Sequence, residues 1–192
     1  GDMGADVMKI EPPQGDWARK LTPPFINGES ALFLGLNRNK RGMVLDLNRE
    51  KDRVQLRRLI EKADVFIEDK KPGELETLGL GRAAMEKANP RLVYCSITSF
   101  GQKGPWKNMA ATELEIQAMS GLLPAIGALG EPPVRLGADV ASQGAGSFAY
   151  QAIAAALFER EVSGVGQYID ISMLGSLMPL QTINLAAHDA TD

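Results

Sequence analysis

The chain has 192 residues, enough for one core or a little more, and its 44% apolar and 23% charged residues exclude wholesale disorder and fibrous repeats. Twenty-one Lys and Arg against 24 Asp and Glu leave a net charge of -3, with no basic excess to neutralise a nucleic-acid backbone. One cysteine and one histidine cannot form an internal disulfide or a Cys/His zinc site, and no apolar run reaches the ~18 residues of a membrane span. A cytoplasmic protein with no metal, membrane or nucleic-acid partner is expected.

Taken in chain order, Val7-Met8-Lys9-Ile10 is a first strand candidate, preceded by Gly1 to Asp6 with no initiator methionine. The chain thus reads as entering mid-fold. Residues 11–30 are rich in Pro, Gly and Asp and predict an ordered excursion or a loop, because proline cannot donate to a ladder or sit inside a helix. Gly42 to Leu47 reads as a strand, and the spacing of Leu56, Leu59, Ile60 and Ala63 predicts an amphipathic helix from about Arg49. Asp64 to Glu68 is a further strand ending before Pro72-Gly73. A short helical stretch then leads to Leu92-Val93-Tyr94-Cys95-Ser96-Ile97. Alternating strands and helices imply crossover connections and a parallel sheet.

Gly101-Gln102-Lys103-Gly104-Pro105 breaks the pattern. Glu113 to Leu122 predicts a helix with Leu114, Gln117, Ala118 and Gly121 on one face, and Gln143 to Arg160 a longer one with Phe148, Ile153, Ala156 and Leu157 as core contacts. Gly164-Val165-Gly166 turns into a last strand, Gln167 to Met173. Asn184 to Asp192 reads as the tail of a helix cut short.

Chemistry-bearing groups are few. The chain has neither a strand-following G-x-G-x-x-G nor a G-x-x-x-x-G-K-[ST], so Gly144-Ala145-Gly146 reads as helix packing and not as a phosphate cradle. His188 stands beside the ragged end and cannot anchor a Ser-His-Asp triad. Cys95 lies mid-strand and reads as a small core residue. Leu36-Asn37-Arg38-Asn39-Lys40-Arg41 puts three cations and two amides in one turn, which suits a phosphate site and a solvated basic loop equally. Glu113 and Glu115 open a helix, where the macrodipole favours acidic residues with no chemistry required.

The order of several segments resembles the family III CoA-transferases, which include formyl-CoA and carnitine CoA-transferases and α-methylacyl-CoA racemases. The segments are Gly4 to Pro12, Asn37 to Arg41, Leu45-Asp46-Leu47, Ala63-Asp64-Val65, Pro72-Gly73, Leu78-Gly79, Asn89-Pro90-Arg91, Gly101 to Pro105, Gln117 to Gly121 and Gly164 to Tyr168. The resemblance runs over essentially all 192 residues. It implies an α/β fold, part of a large CoA-binding Rossmann-like domain with a parallel sheet and flanking helices. The first strand and helix and the C-terminal half, with the small domain, would be absent.

By resemblance the full protein would be an interlocked homodimer, or a heteromer with a paralogous subunit, acting on an acyl-CoA and a carboxylic acid. CoA would be a substrate, with no separate cofactor. The resemblance places Glu113 at the position of the transferase nucleophile, an aspartate in a pattern like Tyr-Asp-Leu-x-x-Gln-Ala-Met-Ser-Gly. It assigns CoA contacts to Leu36, Asn37, Arg38, Asn39, Lys40, Arg41, Asp69, Lys70, Lys71 and Pro72, with the backbone of Gly101 to Pro105 shaping the pocket. This sequence departs from the pattern at Glu113, at Asp69-Lys70 where an Asn-Phe pair is usual, and at Thr77 in place of an arginine. The racemase histidine and aspartate fall on Thr112 and Ser142, neither of which can serve as that acid or base, so racemisation is not expected.

Overall fold

The computed structural model describes residues 1–126 and 130–181. His188 and the expected tail from Asn184 to Asp192 lie outside the described residues. The chain divides into two compact units, Gly1–Arg58 and Leu59–Asp192.

In the first unit, β1 (Val7–Glu11) pairs in parallel with β4 (Lys40–Val44). Between them the Pro-rich excursion carries a short antiparallel hairpin, β2 (Phe25–Ile26) with β3 (Glu29–Ser30), and helix α1 (Ala31–Leu36). The excursion is therefore ordered, and ion pairs hold it. Arg19 forks onto Glu11 at 2.7 Å and Glu29 at 2.9 Å and stacks over the Phe33 ring at 4.1 Å, while Lys9 meets Asp16 at 2.6 Å. The strand expected over Gly42 to Leu47 begins two residues earlier, at Lys40. Asn39 turns the chain with φ at 58°, and pairing of Val7 with Lys40 starts the ladder there, so register overrides the polar side chains. Helix α2 (Glu50–Ile60) follows, with Leu56 and Ile60 buried as their spacing predicts.

The second unit is built on a three-stranded parallel sheet in the order β5 (Val65–Glu68), β6 (Val93–Thr98), β7 (Tyr168–Ser172). Helices α3 (Glu74–Thr77) and α4 (Arg82–Ala88) connect β5 to β6. Helices α5 (Glu113–Met119) and α6 (Val140–Ser163) connect β6 to β7, and α7 (Met173–Leu177) leaves the end of β7. The central strand is the core. Val93 and Cys95 are fully buried, and burial pushes the Cys95 thiol up to about 11. Helix α6 lays Ala141, Ala145, Ala149 and Ala156 inward, so small side chains bring it close to the sheet. Phe148, expected in the core, is 39% exposed, because it lies off that alanine stripe.

The inward face of α5 also differs from expectation. Ile116, Gln117 and Ser120 are buried, while Leu114 is 45% exposed. The helix rotates so that Ile116 joins Ala141 and Leu177 in one apolar cluster, which also turns Glu113 toward the start of α6. At the far end of α6, the buried Arg160 donates to the carbonyls of Asp64 and Arg91 and to the Asp64 carboxylate at 2.9 Å.

Gly166 makes the tightest approach among the described glycines. A Cβ built there would lie 2.0 Å from the Leu92 carbonyl oxygen, closer than any side chain can sit beside backbone. Gly166→Ala is expected to cost about 1–3 kcal/mol by displacing the entry to β7, read as a lower midpoint in urea unfolding with an unchanged slope.

Candidate active site

A helix leaves its first four backbone N–H groups without intrahelical partners. At the start of α6 the N-cap residue, Asp139, makes no capping bond with its side chain. The acceptor comes from α5. Glu113 takes the Ala141 amide on Oε1 at 2.7 Å and the Ser142 amide on Oε2 at 2.9 Å. The Ser142 hydroxyl donates to Oε2 at 2.7 Å, and Gln117 Nε2 donates to Oε1 at 3.0 Å. The carboxylate thus has two donors on each oxygen, about its full acceptor capacity.

Burial raises the Glu113 pKa, but the hydrogen bonds from Gln117, Ser142 and the two amides outweigh it and hold the carboxyl below the ordinary glutamate range. Glu113 therefore stays ionised at neutral pH, with the helix dipole adding to the same effect. Its neighbour Glu115 is occupied elsewhere. It closes a capping box on α5, accepting the Thr112 amide at 2.6 Å while Thr112 Oγ1 accepts the Glu115 amide, which is the purely structural use that its position suggests.

Ser142, which donates to Glu113, borders an opening. A cavity of about 340 Å³ is lined by Asp69, Thr98, Ser99, Ser142, Gly146 and Met173 among others. These residues sit where β5 and β6 end, where β7 passes into α7, and at the N-terminus of α6, which is the edge of a parallel sheet where ligands bind. Gly101, with φ at 84°, turns the chain just beyond β6, and its amide donates to Thr98 Oγ1 at 2.9 Å. The Gln102 amide reaches the Asp170 carboxylate at 3.0 Å, and its side chain reaches Ser96 at 2.9 Å, so the Gly101 to Pro105 loop is tied to the sheet.

The other residues singled out from sequence fall into two groups. Leu36, Asn37, Arg38, Asn39, Lys40 and Arg41 belong to the first unit, where Leu36 is exposed at the end of α1. Arg38 pairs with Asp2, Asn39 donates to Asp2 at 2.9 Å, and Arg41 meets Asp6 at 2.6 Å. Lys40 reaches Asn37 Oδ1 at 3.2 Å, and burial lowers its pKa, with Lys9 adding to the effect. Asp69, Lys70, Lys71 and Pro72 follow β5 in the second unit. The Lys70 amide donates to Glu68 at 2.7 Å, Asp69 lines the cavity, and the side chains of Lys70 and Lys71 are exposed. Thr77 turns back on the Glu74 carbonyl.

Sequence reasoning missed Ala141 and Ser142 as partners of Glu113, since they lie 28 and 29 residues away in the chain. The role of Gln117 could have been read from its place one helical turn after Glu113. Among the described residues no helix is long and apolar enough to cross a membrane, and no group of three or more His, Cys, Asp or Glu side chains could hold a metal.

The fold and site define an α/β protein with parallel sheets, flanking helices and an ionised carboxylate beside a cavity at the strand ends. The signature of CoA-transferase family III matches residues 1–192, and the chain belongs to that family. It is 40% identical over 177 residues to succinyl-CoA:glutarate CoA-transferase of Mus musculus, covering 92% of this chain and 41% of that protein. It is 41% identical over 183 residues to acetyl-CoA:oxalate CoA-transferase of Acetobacter aceti, covering 94% and 47%. A crystal structure of a CAIB/BAIF family protein from Brucella suis superimposes with a TM-score of 0.95 at 37% identity, covering 98% of this chain and 51% of that one. The chain spans about half the length of these relatives.

The folded state binds the Glu113 proton more weakly than the unfolded chain does. The associated stability is therefore complete above the ordinary glutamate value of 4.5 and is lost as pH falls from there through the lowered folded value. The thermal midpoint of Glu113→Gln is expected to change less than that of the parent between about pH 5 and pH 3. Parallel curves for the two proteins would remove the carboxylate clasp.

Proposed function

We propose that this chain carries the transfer site of a CoA-transferase that moves CoA between an acyl-CoA thioester and a free carboxylic acid, with Glu113 as nucleophile. The observation that carries the reading is an ionised carboxylate held at a helix N-terminus beside the cavity that Ser142 lines. The names of the relatives, each a transfer of CoA to a carboxylic acid, support the reaction class.

The chemistry is covalent and needs no cofactor besides CoA as substrate. Rotation of the Ser142 hydroxyl away from Oε2 frees a lone pair on the cavity side. Oε2 attacks the thioester carbonyl, the C–S bond breaks, and CoA leaves as the thiolate with a mixed anhydride on Glu113. The thiolate then attacks the Glu113 carbonyl carbon and releases the first acid, which leaves CoA in thioester linkage to the enzyme. The acceptor carboxylate attacks that thioester, and the returning thiolate completes the new acyl-CoA and restores Glu113. No proton is gained or lost.

Donors on the Glu113 oxygens weaken it as a nucleophile but favour it as a leaving group. In the two steps that attack its carbonyl carbon, the Ala141 and Ser142 amides stabilise the charge that develops on oxygen. Asn37 to Arg41 and Asp69 to Pro72 would supply CoA contacts, with Lys70 and Lys71 as point charges for phosphate. The working protein would be a cytoplasmic dimer.

One observation favours a second reading, a non-catalytic subunit paired with an active paralogue. Every acceptor site of Glu113 is filled, as in a helix cap with no further task.

Trapping separates the two. In the full-length protein, incubation with acyl-CoA donors followed by borohydride is expected to leave a modification on Glu113 by mass spectrometry. Glu113→Ala is expected to abolish exchange while CoA still binds. Exchange that survives in Glu113→Ala would sink the nucleophile, and absence of any label with CoA still bound would favour the paired subunit. Arg41→Ala, which removes an exposed cation, is expected to weaken CoA binding by about three- to tenfold and to flatten its salt dependence.

A further inference from the structure

Three strand ends of the second unit stand side by side. The parallel register sets Glu68 opposite Ser96 and Ser96 opposite Asp170, and residues paired across neighbouring strands present their side chains to the same face of a sheet. A polar row therefore crosses the sheet where its loops begin. Two residues earlier an aromatic row backs it. The Tyr94 ring meets Phe66 at 5.1 Å and Tyr168 at 5.4 Å, and Arg82 covers the Tyr168 ring at 4.5 Å.

Ser96 is fully buried at the centre of the polar row. Gln102 Nε2 donates to its hydroxyl oxygen at 2.9 Å, and Glu68 and Tyr168 also hydrogen-bond it. A hydroxyl offers one donor and two acceptor sites, and an ionised carboxylate only accepts. The Ser96 proton therefore points to Glu68, and its lone pairs take Gln102 and Tyr168. Glu68 in turn accepts the Lys70 amide at 2.7 Å, while Asp170 accepts the Gln102 amide at 3.0 Å. The bonds run in one sense from the Gln102 side chain through Ser96 to Glu68, where they meet the Lys70 amide. Bonds linked in this way polarise and strengthen one another.

The two ends of that chain of bonds belong to different loops at the edge of the cavity, which Asp69 lines from the side of β5 and Thr98 and Ser99 from the side of β6. We infer that Gln102 is a positioning residue that acts through Ser96 and Glu68 to hold residues 69–72, so that the loop after β6 and the segment after β5 open and close as one unit. The ligand this unit serves, CoA, rests on the proposed contacts of residues 69–72. A segment ordered before the ligand arrives loses less freedom on binding.

The test follows amide hydrogen exchange in the full-length protein by mass spectrometry. Gln102→Met keeps the length of the side chain and the main-chain bond to Asp170 but removes the donor to Ser96; Ser96→Ala removes the middle of the connection. In each, exchange at the Lys70 amide is expected to quicken about fivefold, the effect of one lost hydrogen bond, and the double variant is expected to go no further, since both changes cut one connection. Saturating CoA is expected to slow exchange at both the Lys70 and Gln102 amides of the parent, and at Lys70 alone in Ser96→Ala.

Unchanged exchange at Lys70 in Gln102→Met would overturn the inference, as would effects that add in the double variant or protection of Gln102 by CoA that survives Ser96→Ala. Should neither variant fold, the parent decides alone. In native-state exchange at low urea the Lys70 and Gln102 amides are expected to share one opening event with one urea dependence, and two separate dependences would overturn the coupling. Failure of the CoA reading looks different. CoA that protects neither amide of the parent, with Lys70 still quickened in both variants, removes the contacts of residues 69–72 and leaves the coupled loops standing.

Discussion

The second unit depends on satisfying the amides that open α6. This 24-residue helix begins with donors that its own N-cap residue does not meet, and a buried helix end without acceptors costs about 1–3 kcal/mol for each unmet group. Glu113 meets two of them from another helix. That one clasp sets the rotation of α5, puts Ile116 against Ala141 and Leu177, and carries Gln117 to the segment leading into α6. The same geometry keeps a negative charge near the end of a parallel sheet.

The architecture of the sheet was legible because its signals are local. Short apolar runs marked β5 and β6, the spacing of Leu56 and Ile60 marked α2, and the turn at Gly164 to Gly166 announced β7. Errors arose where a partner decided the outcome. Lys40 and Arg41 are strand residues because β1 pairs with them, which their own polarity does not foretell. Phe148 was expected inside together with Ala156, but the face of α6 that meets the sheet is chosen by closeness of approach, so Ala156 is buried and Phe148 is not.

The candidate site was legible in part. Glu113 came from a motif resemblance, while the helix-dipole argument alone treated it as equivalent to Glu115. The structure separates them by their partners: one completes a capping box on its own helix, the other reaches across to α6. The basic run at Asn37 to Arg41 was visible as charge, but its pairing with Asp2 and Asp6 required the parallel register of β1 and β4. Any anion that binds those arginines must compete with carboxylates already in place.

The alanine face of α6 has one more consequence. Large side chains interlock and index a helix along its axis, whereas a stripe of methyl groups is nearly smooth, so packing alone leaves the helix free to slip by a turn of 5.4 Å. The two ends remove that freedom. Glu113 grips the first turn, and Arg160 grips the carbonyls of Asp64 and Arg91 at the starts of β5 and β6. The helix behaves as a rod of fixed length clamped at both ends, and the ordinary polar contacts at its far end gauge how far its N-terminus projects into the cavity.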